Sequence, residues 1–280
     1  MATAMKQLAR QLLPRSARNA LRSPLQTLHW WWNEQRAPLD LELRPGWRLK
    51  CPRNALDGAF RLQLHDPPQV RELDEFIALV KGIPSVSLLD IGSHFGVFSF
   101  AAAHYGGAKA RALAVDPSAL AGEMVRRIAG LNGCETRVQF HRAAVGASCG
   151  ELAMVDTGVI GSGYMVLPGD QPESDFTRIP QTTIDELVKM MPAPPNVIKI
   201  DVESYEFEVL QGAVNTLAGA SPILCLELHN RMMMERGVKP QAVVQWLWEH
   251  GYRRFFQGGR EWSENEICGP EIARVLVRKG

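Results

Sequence analysis

Residues 87–99 restrict this chain to a narrow set of folds. The apolar run through Leu88, Leu89 and Ile91 has the length of a buried strand; it breaks at Gly92, turns through Gly96 and re-enters an apolar stretch suited to a helix. A strand, a glycine turn and a helix in that order point backbone N–H groups at one spot, which is how α/β sheets hold nucleotide-like ligands. Residues 112–116 repeat the first half of the pattern, a short apolar strand ending in Asp116. A carboxylate there can accept hydrogen bonds from ribose hydroxyls, so the pair of strands predicts a nucleoside cofactor.

The glycine spacing narrows the cofactor. A dinucleotide pyrophosphate needs G-x-G-x-x-G for close backbone approach, and here only Ser93, His94 and Phe95 lie between Gly92 and Gly96. Asp90, just ahead of the turn, suits a ligand carrying a positive amine and sulfonium and would repel phosphates. S-adenosylmethionine fits both features.

From Val70 onward strand-like and helix-like patterns alternate. Strands are expected at 87–91, 111–116, 137–141, 196–201, 222–228, 252–256 and 272–277, with helices starting near Glu72, Gly96, Ser118, Thr183, Tyr205 and Lys239. The alternation predicts an α/β, Rossmann-like fold: a mostly parallel seven-stranded sheet with helices on both faces, carried by residues 71–280. Thr183 followed by Glu186 reads as a capping box, and Gly251 as the stop of the helix through Trp246 and Trp248. Residues 157–181, rich in glycine, form a connection long enough to be a lid or a structureless excursion.

A second group of ionisable residues falls at strand ends. The strand 196–201 releases Asp201 and Glu203, and the strand 222–228 ends in Glu227 followed by His229. Ligands of open α/β sheets sit outside the carboxyl ends of strands, so these four are expected to face the cofactor crevice and act on the acceptor, Asp201 or His229 as general base. Glu206 and Glu208 read as first-turn residues that complement a helix dipole. Oxygen ligands suit magnesium, so a divalent metal held by Asp201, Glu203 and Glu227 is left open.

The first 70 residues have another character. Residues 1–33 contain Lys6, Arg10, Arg15, Arg18 and Arg22, no acidic residue, and end in Trp30, Trp31 and Trp32. Their helical apolar spacing suits short helices docked on the main domain or on another subunit, or an interfacial helix in peripheral contact with a membrane. Residues 37–70 hold five prolines among runs such as 60–64 and read as a strand-rich lead-in. A net charge of +1 over 280 residues supplies no field toward nucleic acid, leaving a small molecule or glycan as the expected partner. Five scattered cysteines without C-x-x-C spacing argue against a disulfide framework or zinc site, and a cytoplasmic setting is expected.

At these residues the chain resembles the FkbM family of S-adenosylmethionine-dependent methyltransferases. The resemblance is carried by residues 89–96 with Phe98 and Ser99, by 115–118, 143–146 and 182–187, by 198–206 with 210–213, and by 226–229. It implies a class I methyltransferase sheet and methyl transfer to an oxygen, on sugar hydroxyls or those of secondary metabolites. It also implies cofactor contacts at Asp90, Gly92, Ser93, His94, Phe95, Gly96, Asp116, Pro117, Ala143, Ala144 and Asp201. Two positions depart from the family pattern. His94 stands where the turn usually has Asn, and Ser204 stands where the acidic strand is usually followed by Gly; as a small residue and good helix cap, Ser204 is expected to be a mild change.

Two other classes compete with the O-methyltransferase. A nicotinamide-dependent oxidoreductase would share the layered sheet but lacks its glycine fingerprint here, and a non-catalytic cofactor-binding protein would keep the fold alone.

Overall fold

The computed structural model describes residues 32–33, 35–56, 60–156, 163–165 and 177–280. The basic segment 1–31, with Trp30 and Trp31, lies outside the described residues, and Trp32 is exposed. The strands are β1 (Leu39–Arg44), β2 (Trp47–Cys51), β3 (Ser87–Ile91), β4 (Arg111–Val115), β5 (Val138–His141), β6 (Ala144–Val145), β7 (Gly150–Asp156), β8 (Gly163–Met165), β9 (Thr177–Thr182), β10 (Val197–Ile200), β11 (Ile223–Leu228), β12 (Tyr252–Gln257), β13 (Arg260–Glu261) and β14 (Ala273–Lys279).

The main sheet runs β13-β12-β14-β11-β10-β3-β4-β5. Its five strands from β11 to β5 are parallel, while β14, β12 and β13 are antiparallel additions at one edge. All seven expected strands are present, and the two-residue β13 extends the edge. Strands β3 and β10 are buried along their whole length because helices cover both faces, which is why they are mostly apolar, interrupted only by the buried ionisable groups Asp90 and Lys199. Alternate residues serve opposite cores. Leu88 and Val197 pack under the helices Pro67–Lys81, Val97–Tyr105 and Ala119–Leu131; Leu89, Ile91, Ile198 and Ile200 pack on the other side with Leu247 of the helix Pro240–Glu249.

The lead-in shares the first of these cores. Leu43, Trp47 and Leu49 of the β1–β2 hairpin and Phe60 are buried in one cluster with Leu73 and Phe76. Residues 60–64, expected as a strand, belong instead to the helix Arg61–His65. Burial there follows a three-residue step, with Phe60 and Gln63 inside and Leu62 exposed, whereas a strand would bury Phe60, Leu62 and Leu64 together.

Between β5 and β10 the chain builds a second, four-stranded sheet, β6-β9-β7-β8, absent from the strands expected of the sequence. The expected loop 157–181 therefore contains β8 and most of β9; residues 157–162 and 166–176 lie outside the described set. Among the described residues no helix is long and apolar enough to cross a membrane.

Candidate functional site

The turn after β3 is shaped by its backbone. Gly92 and Ser93 donate their N–H groups to the Val115 carbonyl at the end of β4, and both glycines are left-handed, with φ +73° at Gly92 and +77° at Gly96. His94 is left-handed too, at φ +48°, a conformation that Asn and His tolerate better than most residues. Its N–H donates to Asp116 (2.9 Å), whose other oxygen accepts from Ser118 (2.8 Å). Asp116 is buried, and that burial pushes its carboxyl up to about 6 despite these bonds. Asp90, on β3, is also pushed up to about 6 by burial, against the hydrogen bond from Ser99 Oγ (2.7 Å) and the charge of Lys199.

The structure thus brings Asp90, the turn 92–96, Asp116 and Pro117 to one place. Ser93 Oγ is buried in this turn and makes no hydrogen bond. The side chains of Phe95 and Ala143 belong to the two cores, and Ala144 opens β6.

The acidic strand end meets the turn directly. A Cβ on Gly92 would stand 1.7 Å from the carbonyl oxygen of Asp201, so the two chain segments touch backbone to backbone. Beyond Asp201 the chain reverses through Glu203 and Ser204 at φ +52° and +87°. Ser204 was expected to be a mild change and a helix cap; it is neither, because the following helix Glu206–Gln211 is capped by Tyr205 and Ser204 occupies a conformation that suits glycine. This reversal turns Glu206 inward. Its carboxylate is fully buried, accepts the Ser204 N–H (3.0 Å), and lies 2.8 Å from His229 Nδ1.

His229 is buried just past β11. Its Nε2 faces Glu203 (3.6 Å), Glu227 (3.8 Å) and Asp201 (3.9 Å). Burial alone would lower the imidazole's pKa, but the Glu206 hydrogen bond and the charges of Glu206, Asp201 and Glu203 outweigh it and raise it to about 9. At neutral pH and without another cation the ring is therefore protonated. In that form the ring has no lone pair to offer at Nε2, which favours a carboxylate over His229 as general base.

Under this cluster lies a buried ion network. Lys199, on β10, is enclosed completely and sits 3.0 Å from Glu72, 3.4 Å from Asp201 and 3.8 Å from Glu227. Burial pulls its pKa down, yet the charges of Asp201, Glu72 and Glu227 prevail and hold it above its ordinary value. Arg274 of β14 joins Glu72 to Glu227. Burial and then the charge of Asp201 push the Glu227 carboxyl up. Sequence reading brought Asp201, Glu203, Glu227 and His229 to one place, as found; it missed Glu72, Lys199, Glu206 and Arg274.

A parallel sheet with a glycine turn at one strand end and ionisable groups at the next two is the arrangement of α/β proteins that take ligands at the carboxyl edge of the sheet. The Methyltransferase FkbM domain model matches residues 90–254, more than half of the chain, and the chain belongs to that family. A stretch of 66 residues is 41% identical to hexuronic acid methyltransferase AglP of Haloferax volcanii, covering 23% of this chain and 25% of that protein. The matched stretch thus spans about a quarter of the length of that curated relative. The methyltransferase FkbM structure from Methylobacillus flagellatus KT shows 14% identity and a TM-score of 0.44, over 78% of this chain and 52% of that one. Sp1610 of Streptococcus pneumoniae, in complex with S-adenosyl-L-methionine, shows 15% identity and a TM-score of 0.42 over 74% and 72% of the two chains.

Proposed function

We propose that this methyltransferase uses S-adenosylmethionine and methylates a hydroxyl oxygen of a sugar or secondary metabolite. The observation that carries the reading is the backbone contact between the glycine turn and Asp201, which sets a ligand cradle beside a row of carboxylates. The likeness to a hexuronic acid methyltransferase of Haloferax favours a sugar acceptor.

The residues fit the cofactor. Asp90 offers a carboxylate to an ammonium, Asp116 keeps lone pairs free for ribose hydroxyls beside the two N–H groups it accepts, and the unpartnered Ser93 Oγ awaits a polar group. When bound, S-adenosylmethionine supplies an electrophilic methyl group on a sulfonium. The chain's part is to orient the acceptor oxygen and take its proton. Half-buried Asp201 and exposed Glu203 are the carboxylates that can receive that proton, while positive charge at His229 Nε2, carried by a proton or by a cation that displaces it, stabilises negative charge on the acceptor.

Calorimetry with S-adenosylhomocysteine tests the cofactor half: Asp116→Ala should weaken binding by about 1–3 kcal/mol. A screen of sugar acceptors with methyl-labelled cofactor tests the other half, and Asp201→Asn should cut turnover about 10²–10⁴-fold with little change in cofactor affinity. Stabilisation by NAD and not by S-adenosylhomocysteine would refute the reading.

A further inference from the structure

We infer that His229 Nε2, Asp201 and Glu227 form a binding site for one divalent cation, and that Glu206 positions the histidine for it. One donor atom from each of the three residues can be chosen so that all lie within 4.8 Å of one another. Carboxylates clustered at a strand end are common without an ion, so the histidine is what carries the inference. Its ring is buried, Nδ1 is fixed on the Glu206 carboxylate at 2.8 Å, and Nε2 is aimed at three carboxylates while lying beyond hydrogen-bond length from each. A histidine whose far nitrogen is held by a carboxylate while the near one points into a group of oxygen donors has the arrangement of a metal ligand with its outer-sphere partner.

Donors about 2.2 Å from a common ion are separated by about 3–3.6 Å. The Nε2 separations of 3.8 Å from Glu227 and 3.9 Å from Asp201 close to that range with shifts of a few tenths of an ångström, and the two carboxylates, whose donors lie within 4.8 Å of each other, draw together when the ion binds. Charge agrees as well. Among the described residues Glu72, Asp201, Glu203, Glu206 and Glu227 gather around the buried cations Lys199 and Arg274, and the oxygen of buried Glu227 that faces Lys199 accepts no hydrogen bond. A divalent ion taking the place of the proton on Nε2 balances this excess. Mixed nitrogen and oxygen donors suit Mn²⁺, Mg²⁺ or Zn²⁺. An ion there would lower the pKa of an acceptor hydroxyl bound to it, leaving exposed Glu203 to take the proton; that last step, and only that step, rests on the proposed hydroxyl methylation.

The test is binding of Mn²⁺ to the full chain after chelator treatment, followed by loss of the free-ion electron paramagnetic resonance signal. One ion per chain is expected, with ¹⁴N modulation from a coordinated imidazole in the spin echo of the wild-type protein. Asp201→Asn should abolish binding, and Glu206→Gln should weaken it about 10–100-fold with the nitrogen modulation reduced. Competition by Mg²⁺ and Zn²⁺ identifies the preferred ion. Absence of Mn²⁺, Mg²⁺ and Zn²⁺ binding at millimolar concentration, or a bound ion without nitrogen modulation, overturns the assignment. S-adenosylhomocysteine calorimetry on the same sample separates the two readings, because a bound ion without bound cofactor leaves the site standing and removes the methyltransferase chemistry.

Discussion

The α-carbon of Gly92 lies against the carbonyl of Asp201, with no room for a side chain between them: an added Cβ would be 1.7 Å from that oxygen. The family resemblance implies a cofactor contact at Gly92. The structure adds a second task, closing the end of β3 on the end of β10 so that the two halves of the site stay in register.

Gly92→Ala should therefore damage the ligand-free protein. The clash with Asp201 adds to the strain of a side chain at φ +73°, together about 3 kcal/mol or more. Urea denaturation without cofactor checks this, and an unchanged midpoint would return Gly92 to a purely ligand-facing role.

Ser204→Gly should do the opposite. Ser204 sits at φ +87°, where a Cβ is costly, and its hydrogen bonds to Glu206 and Arg236 use backbone atoms that glycine keeps. A gain of about 1 kcal/mol is expected after the greater unfolded-state entropy of glycine is deducted. It reads out as a rise in Tm. A fall would mean that the buried hydroxyl makes a stabilising contact.

The legibility of the site followed from burial. Mostly apolar stretches such as 87–91 and 196–201 are visible because both sheet faces are covered, and the strand-end rule then places Asp201, Glu227 and His229 without further information. The small sheet was not visible. Its strands β6 and β8 have two and three residues, and β9 carries Pro180 among polar residues, so no two-residue period stands out. Glu206 does stand in the first turn of its helix, but its inward contact with His229 was missed although a signal existed: Glu206, Val209 and Leu210 fall at i, i+3 and i+4 and all three are buried, so helical spacing had already placed the carboxylate on the inward stripe. The residues that neutralise it and its neighbours, Lys199 and Arg274, are far apart in the chain and declare themselves only by position in space.

Asp90 carries a pH prediction whose sign can be fixed. Burial raises its folded-state pKa from 3.8 to about 6, so the folded chain binds a proton more tightly than the unfolded one between those values. The native state is thus penalised as pH rises through the window from about 4 to 6, and fully above it. Asp90→Asn removes the penalty. The variant should be more stable than wild type by up to about 3 kcal/mol at pH 8, and the difference should vanish near pH 4, while affinity for S-adenosylhomocysteine falls. Paired thermal unfolding curves across pH 4–8 decide it. A pH-independent difference would locate the effect in packing against Ser99 rather than in charge.

Lys199 should prove the costliest polar side chain to remove. Its ammonium is enclosed between Glu72, Asp201 and Glu227 and lies 4.9 Å over the Phe98 ring, so no water can replace it without opening the core. Lys199→Met keeps the length of the side chain and deletes the charge. Buried carboxylates would then face one another with only Arg274 between two of them, a loss of about 3–5 kcal/mol by analogy with other broken buried ion pairs. Adding Glu72→Gln should recover part of that loss, because the second change removes one of the charges left unbalanced by the first. Strict additivity of the two losses in a double-mutant cycle would show that Lys199 and Glu72 do not interact, contrary to their 3.0 Å separation.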